Sequence, residues 1–186
     1  MRSSVRLARV KPSAMPLSPA PLPLRHLERR RRLRYAGSMS STEAFGAQLL
    51  AGIPHAEGLG MAVVEIGNGT AVARVPYAAH LSGDPETGVL HGGVITSLLD
   101  NTAGIAIQSR LRAFGGIATL DLRIDYMRPA TAGEDIYAFA ECYRMTKTVA
   151  FVRGVAYHTD RNDPIAAVSA AFMLGTGGGR KPDGAP

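Results

Sequence analysis

The chain has 186 residues, 46% of them hydrophobic, with a formal net charge of +6 and a single cysteine, Cys142. That length supports one domain with a substantial core. No run of eighteen apolar residues suggests a membrane-spanning helix, and one thiol excludes an internal disulfide framework and suits a reducing compartment. The charge is unevenly placed. Residues 1–38 hold ten Lys and Arg against Glu28 alone, which leaves 11 of the 21 basic side chains against 14 of the 15 acidic ones. Residues 39–186 are therefore mildly acidic, and no basic surface for nucleic acid is implied.

Residues 1–38 read as a disordered basic leader, because Pro12, Pro16, Pro19, Pro21 and Pro23 prevent a sustained helix or strand. Prolines and arginines interrupt every apolar stretch that a secretory signal would require. The Arg-rich, acid-poor composition matches a transit peptide, although the prolines fit that poorly. The run Arg29–Arg34 is alternatively a site for anionic lipid or nucleic acid, and translation beginning at Met39 is a further reading. Ser40-Ser41-Thr42-Glu43 forms a helix start, and Thr42–Leu50 a short amphipathic helix ended by Ala51-Gly52. Strands are predicted at Met61–Ile66 and Thr70–Tyr77 around the hairpin signal Gly67-Asn68-Gly69.

A long helix is predicted from Leu90 to Leu111. Its apolar residues, from Val94 to Ile107, cover every side, so it is expected to be buried. Strands then follow near Ala118–Tyr126, Asp135–Met145, Thr148–His158 and Ile165–Leu174. In the first of these, Leu120, Leu122, Ile124 and Tyr126 alternate with Asp121, Arg123 and Asp125, giving one dry and one wet face. Residues 177–186 read as a flexible tail. A long antiparallel sheet wrapped around a buried helix is an α+β architecture.

Chemistry concentrates in Gly88–Gly104. His91-Gly92-Gly93 opens the long helix, where glycines permit close backbone approach and N–H groups lack intrahelical acceptors, a donor site for a developing oxyanion. Asp100 lies nine residues beyond His91 among apolar neighbours, where a carboxylate is unfavourable unless used or paired. Together with Ala118-Thr119-Leu120-Asp121-Leu122 and Asp125-Tyr126-Met127-Arg128-Pro129-Ala130, this segment resembles hotdog-fold acyl-CoA thioesterases of the phenylacetate-degradation type, over roughly residues 45 to 176.

The resemblance implies a hotdog domain over 39–176, an acyl-CoA substrate, no cofactor, and a homodimer or dimer of dimers. It makes Asp100 the nucleophile or general base, and Gly92 N–H the group that polarises the thioester carbonyl. Gly93 N–H and the helix dipole would assist. Thr119 would orient the water or the acid, or simply reflects β propensity. His91 would position the turn or hydrogen-bond the carbonyl. Gly93, Asn101, Arg128 and Lys147 are candidates for substrate contact, with Arg128, Arg144, Lys147 and Arg153 available for the coenzyme A phosphates.

Family members often carry Asn shortly before His-Gly-Gly. Here Asp84 stands nearest that place, as a replacement or as the start of an Asx turn before Pro85. On one helix Gly92 and Asp100 are separated by roughly 12 Å, too far for one carbonyl, so a shared reaction requires them from different chains at a two-fold interface.

Other chemistries find less support. The five histidines lack paired metal-ligand spacing, and neither a Gly-x-Ser-x-Gly elbow nor a nucleotide-binding glycine loop occurs. A noncatalytic acyl-CoA-binding regulator and a hotdog hydratase or dehydratase are the alternatives. The expected location is cytoplasmic, or organellar if residues 1–38 are a transit peptide. The acyl group is not legible.

Overall fold

A computed structural model describes residues 41–51, 53–111 and 115–176; expectations about the leader, Gly52 and the residues after 176 lie outside the described residues. Two short helices, α1 (Ser41–Leu50) and α2 (Pro54–Gly58), lead into a hairpin of β1 (Ala62–Ile66) and β2 (Thr70–Val75). A 3₁₀ turn at Ala79–Leu81 precedes the central helix α3 (Gly92–Leu111). The strands β3 (Ile117–Tyr126), β4 (Ile136–Met145), β5 (Val149–Tyr157) and β6 (Ala166–Leu174) complete the chain. All pairings are antiparallel, in the order β1-β2-β4-β5-β6-β3. This is the α+β hotdog arrangement that the resemblance implies: one sheet wrapped around one long helix.

The core lies between α3 and the sheet. Leu98, Leu99 and Ile107 from the helix meet Val75, Ile136, Ala138, Ala140 and Val152 from the strands, all of them fully buried. Small residues let helix and strands approach closely. Between strands Gly154 does the same, because a Cβ there would run into the carbonyl oxygen of Phe139 on the neighbouring strand.

Two expectations need correction. The central helix is not buried on every side: Gly93 is exposed, and Ser97, Asp100, Asn101 and Gly104 are half-exposed along one stripe. The sheet covers only part of the helix circumference, and the small and polar residues sit on the remainder. The alternation in β3 also breaks. Leu120 is 52% exposed because the β3–β6 register slips between Thr119 and Asp121, leaving Leu120 as the extra residue of a bulge. The bulge changes the parity of the strand, so that Ile117 and Thr119 before it face the helix together with Leu122, Ile124 and Tyr126 after it. Asp121, Arg123 and Asp125 are exposed, as their alternation predicts.

Candidate active site

The turn before α3 is built by a loop that closes on itself. Ser82 bridges to Leu90, Gly83 N–H donates to Val89 C=O at 2.8 Å, and His91 N–H donates to Leu81 C=O at 2.9 Å. Within it, Asp84 accepts from Glu86 N–H (3.0 Å) and Thr87 Oγ1 (2.7 Å), an Asx turn before Pro85. Those bonds, the Thr87 hydroxyl first, hold the Asp84 carboxyl below its ordinary range. Tyr77 Oη fixes the loop from outside through Gly88 C=O at 2.9 Å. Gly88 has φ +70°, and a Cβ there would crowd the same hydroxyl.

His91 caps the helix with its side chain, as Gly93 N–H donates to His91 Nδ1 at 2.9 Å. That bond leaves the ring proton on Nε2 in the neutral form. It also corrects the expectation that Gly93 N–H is free to assist, since a side-chain acceptor already holds it. A Cβ at Gly93 would stand 2.9 Å from that nitrogen, so only glycine lets the ring fold back. Gly92 N–H has no acceptor among the described residues, whereas Gly92 C=O is heavily engaged. Tyr126 Oη donates to it at 2.8 Å and lies 2.9 Å from Thr96 Oγ1, itself 3.1 Å from the same oxygen.

Two turns along α3, Asp100 is half-buried and accepts from Thr119 Oγ1 at 2.9 Å. The acid is therefore paired with a hydroxyl of β3. Its other oxygen has no partner among the described residues. Asn101 donates to Ser97 C=O at 2.8 Å.

Asp100, Asn101 and Thr119 line one cavity of about 240 Å³, whereas Gly92, Tyr126 and Arg128 line another of about 340 Å³. One chain thus carries an acid and a backbone donor in separate hollows along the same helix. Arg128 is already held by Asp163, at 2.9 Å to its carboxylate and 2.9 Å to its carbonyl. Lys147 sits in the β4–β5 turn and lines neither cavity. His158, buried, sews the β3–β4 connection by accepting from Thr131 N–H and donating to Asp135 C=O, at 2.8 Å each. Among the described residues no group of three or more His, Cys, Asp or Glu could hold a metal ion, and no helix is long and apolar enough to cross a membrane.

Sequence reasoning gave no role to Tyr126, Thr96, Gly104 or Gln108. Tyr126 carried a signal, an aromatic with a polar tip at the end of a strand. Gly104 carried none, because a glycine inside a helix reads only as a weak helix former.

The thioesterase superfamily profile matches residues 87–165, from the loop before His91 to the residue before β6. A Pseudomonas aeruginosa protein of known crystal structure is 45% identical, with TM-score 0.66, and is matched over 98% of its length and 71% of this chain. The phenylacetic acid degradation protein PaaI of Thermus thermophilus, in the structure of a mutant form, is 27% identical with TM-score 0.56, over 97% of its chain and 64% of this one. The medium/long-chain acyl-CoA thioesterase YigI of Escherichia coli is 35% identical over 103 residues, 47% of this chain. Curated relatives of this kind are matched over 45% to 63% of their own length. The chain belongs to the thioesterase superfamily, with the hotdog fold of its phenylacetic acid degradation members.

Proposed function

We propose that the chain hydrolyses acyl-coenzyme A thioesters, with Asp100 of one protomer and Gly92 N–H of its partner acting on the same carbonyl. The observation that carries this reading is the pairing of an open N–H at a helix start with a hydroxyl-bonded carboxylate two turns away, each beside its own cavity. The free N–H and the helix dipole suit a developing oxyanion. Asp100 serves as nucleophile or as general base on water, and Thr119 orients whichever oxygen of the carboxylate it holds. His91 positions the turn and leaves its Nε2–H as the second donor nearby.

The edge strand supports the two-chain arrangement. β3 ends the sheet with unpaired backbone groups, while Leu120 and Tyr126 are about half exposed and Met127 is 57% exposed. Its first residues lie beside Asp100 and its last beside Gly92. Antiparallel pairing of two such edges about a two-fold axis brings the Asp100 end of one protomer to the Gly92 end of the other, giving two sites per dimer.

The test is release of coenzyme A from a panel of acyl-CoA esters by the wild-type chain and by Asp100→Asn. The substitution keeps the shape and removes the charge. Loss of at least ~10²-fold in kcat, with KM little changed, is expected. Hydrolysis by Asp100→Asn at the wild-type rate removes this residue from the mechanism.

A further inference from the structure

The cavity at Asp100 is longer than the chemistry at its mouth requires. It follows α3 past Asp100 and Asn101 to Gly104, Ile105 and Gln108, eight residues or roughly 12 Å along the helix. Its opposite side is aliphatic, with Leu49 and Leu50 from α1 and Ile53 from the connection to α2. The far end is closed by an amide held by the backbone: Gln108 Nε2 donates to Gly115 C=O at 2.6 Å, and its Oε1 accepts from Gly115 N–H at 3.1 Å. Midway, the absence of a side chain at Gly104 keeps the passage open, since a Cβ there would already touch Ile117 Cδ1 at 3.4 Å.

We infer that this passage holds the acyl tail of the substrate, that the tail is a straight aliphatic chain of medium length, and that Gly104 sets how long it can be. The inference rests on the thioesterase reading for the placement of the carbonyl beside Asp100. A zigzag of carbon–carbon bonds of about 1.5 Å at near-tetrahedral angles advances ~1.25 Å per carbon, so a depth of roughly 12 Å admits about eight to ten carbons. An arylacetyl group reaches about as far as Gly104 and leaves the deeper half unfilled. Each further methylene buried there adds to binding until Gln108 is met.

The measurement is kcat/KM of the full chain for butyryl-, hexanoyl-, octanoyl-, decanoyl-, hexadecanoyl- and phenylacetyl-CoA, for the wild type, Gly104→Ala and Gly104→Val. For the wild type kcat/KM is expected to rise at least ~10-fold from butyryl to decanoyl and to fall again at hexadecanoyl. The decanoyl-to-butyryl ratio is expected to drop about threefold in Gly104→Ala and at least ~10-fold in Gly104→Val. Alanine favours the helix over glycine, so the first variant folds even if valine is not accommodated. A flat length profile, a phenylacetyl preference over decanoyl, or an unaltered ratio in the folded variants overturns the inference. If the wild type hydrolyses none of these esters, the hydrolytic reading fails separately. Kd for the same series by calorimetry then decides: tightening with chain length that Gly104→Ala weakens and Gly104→Val abolishes sustains the acyl passage, and its absence ends it.

Discussion

Asp100 shares its stripe of α3 with Gly93, Ser97 and Gly104, small or polar residues that the sheet does not cover. A carboxylate can be tolerated there because it is half-solvated and because Thr119 donates to it. Thr119→Ala removes that donor and is expected to lower kcat about tenfold, while Thr119→Ser retains most of the rate. Steady-state kinetics at saturating substrate checks both, and equal losses in the two variants would show that the methyl group rather than the hydroxyl matters. Asp100 was legible because a carboxylate inside an apolar helix contradicts its surroundings. The contact with Thr119 was not, since it depends on a change of strand parity that residue types alone do not encode. Cys142 is the opposite case, a side chain that shows no sign of chemistry. It is buried in β4 at 1% exposure, and burial pushes its thiol above the ordinary value. Because the thiolate is the reactive form, native protein is expected to resist a thiol reagent and to take up one equivalent after unfolding in guanidinium chloride.

At the scale of elements, the central helix and all six strands follow closely from periodicity, glycine and proline. Their ends move by only a residue or two. The short α2 escaped notice because five residues beginning at Pro54 carry too little pattern to separate a helix from a turn. Sheet order also escaped, because β3 pairs with β6 across about fifty residues and skips β4 and β5. Only packing around the helix fixes that arrangement. The same packing makes Gly154 irreplaceable in a way its sequence context does not reveal: it faces Ala140 across the β4–β5 ladder, and any Cβ there meets the backbone of β4. Gly154→Ala is expected to destabilise the protein by about 2 kcal/mol, and Gly154→Val by more, as overpacked cores do. A urea titration reads this as a lower midpoint at unchanged slope. A midpoint equal to wild type would mean that the two strands separate without loss.

For the whole molecule, the decisive geometry is that α3 runs unbroken from Gly92 to Leu111. Gly92 and Asp100 are held roughly 12 Å apart on one rigid axis, and no side-chain rearrangement closes that gap. On the proposed reading a single protomer therefore presents two incomplete half-sites, and a complete one would need the donor end of a second chain. Mixing protomers tests this directly. Asp100→Ala removes the acid and leaves the donor; Gly92→Pro deletes the amide N–H and leaves the acid. Each homodimer is expected to be inactive. Hybrid dimers formed by exchange contain one site with both defects and one with neither, so an equimolar mixture, in which half the dimers are hybrid, recovers about a quarter of the wild-type sites. Coenzyme A release should rise as exchange proceeds, at a rate matching the exchange itself followed by mass spectrometry of the mixed dimers. If hybrids accumulate, remain folded and release nothing, acid and donor act within one protomer and the two-chain site is wrong.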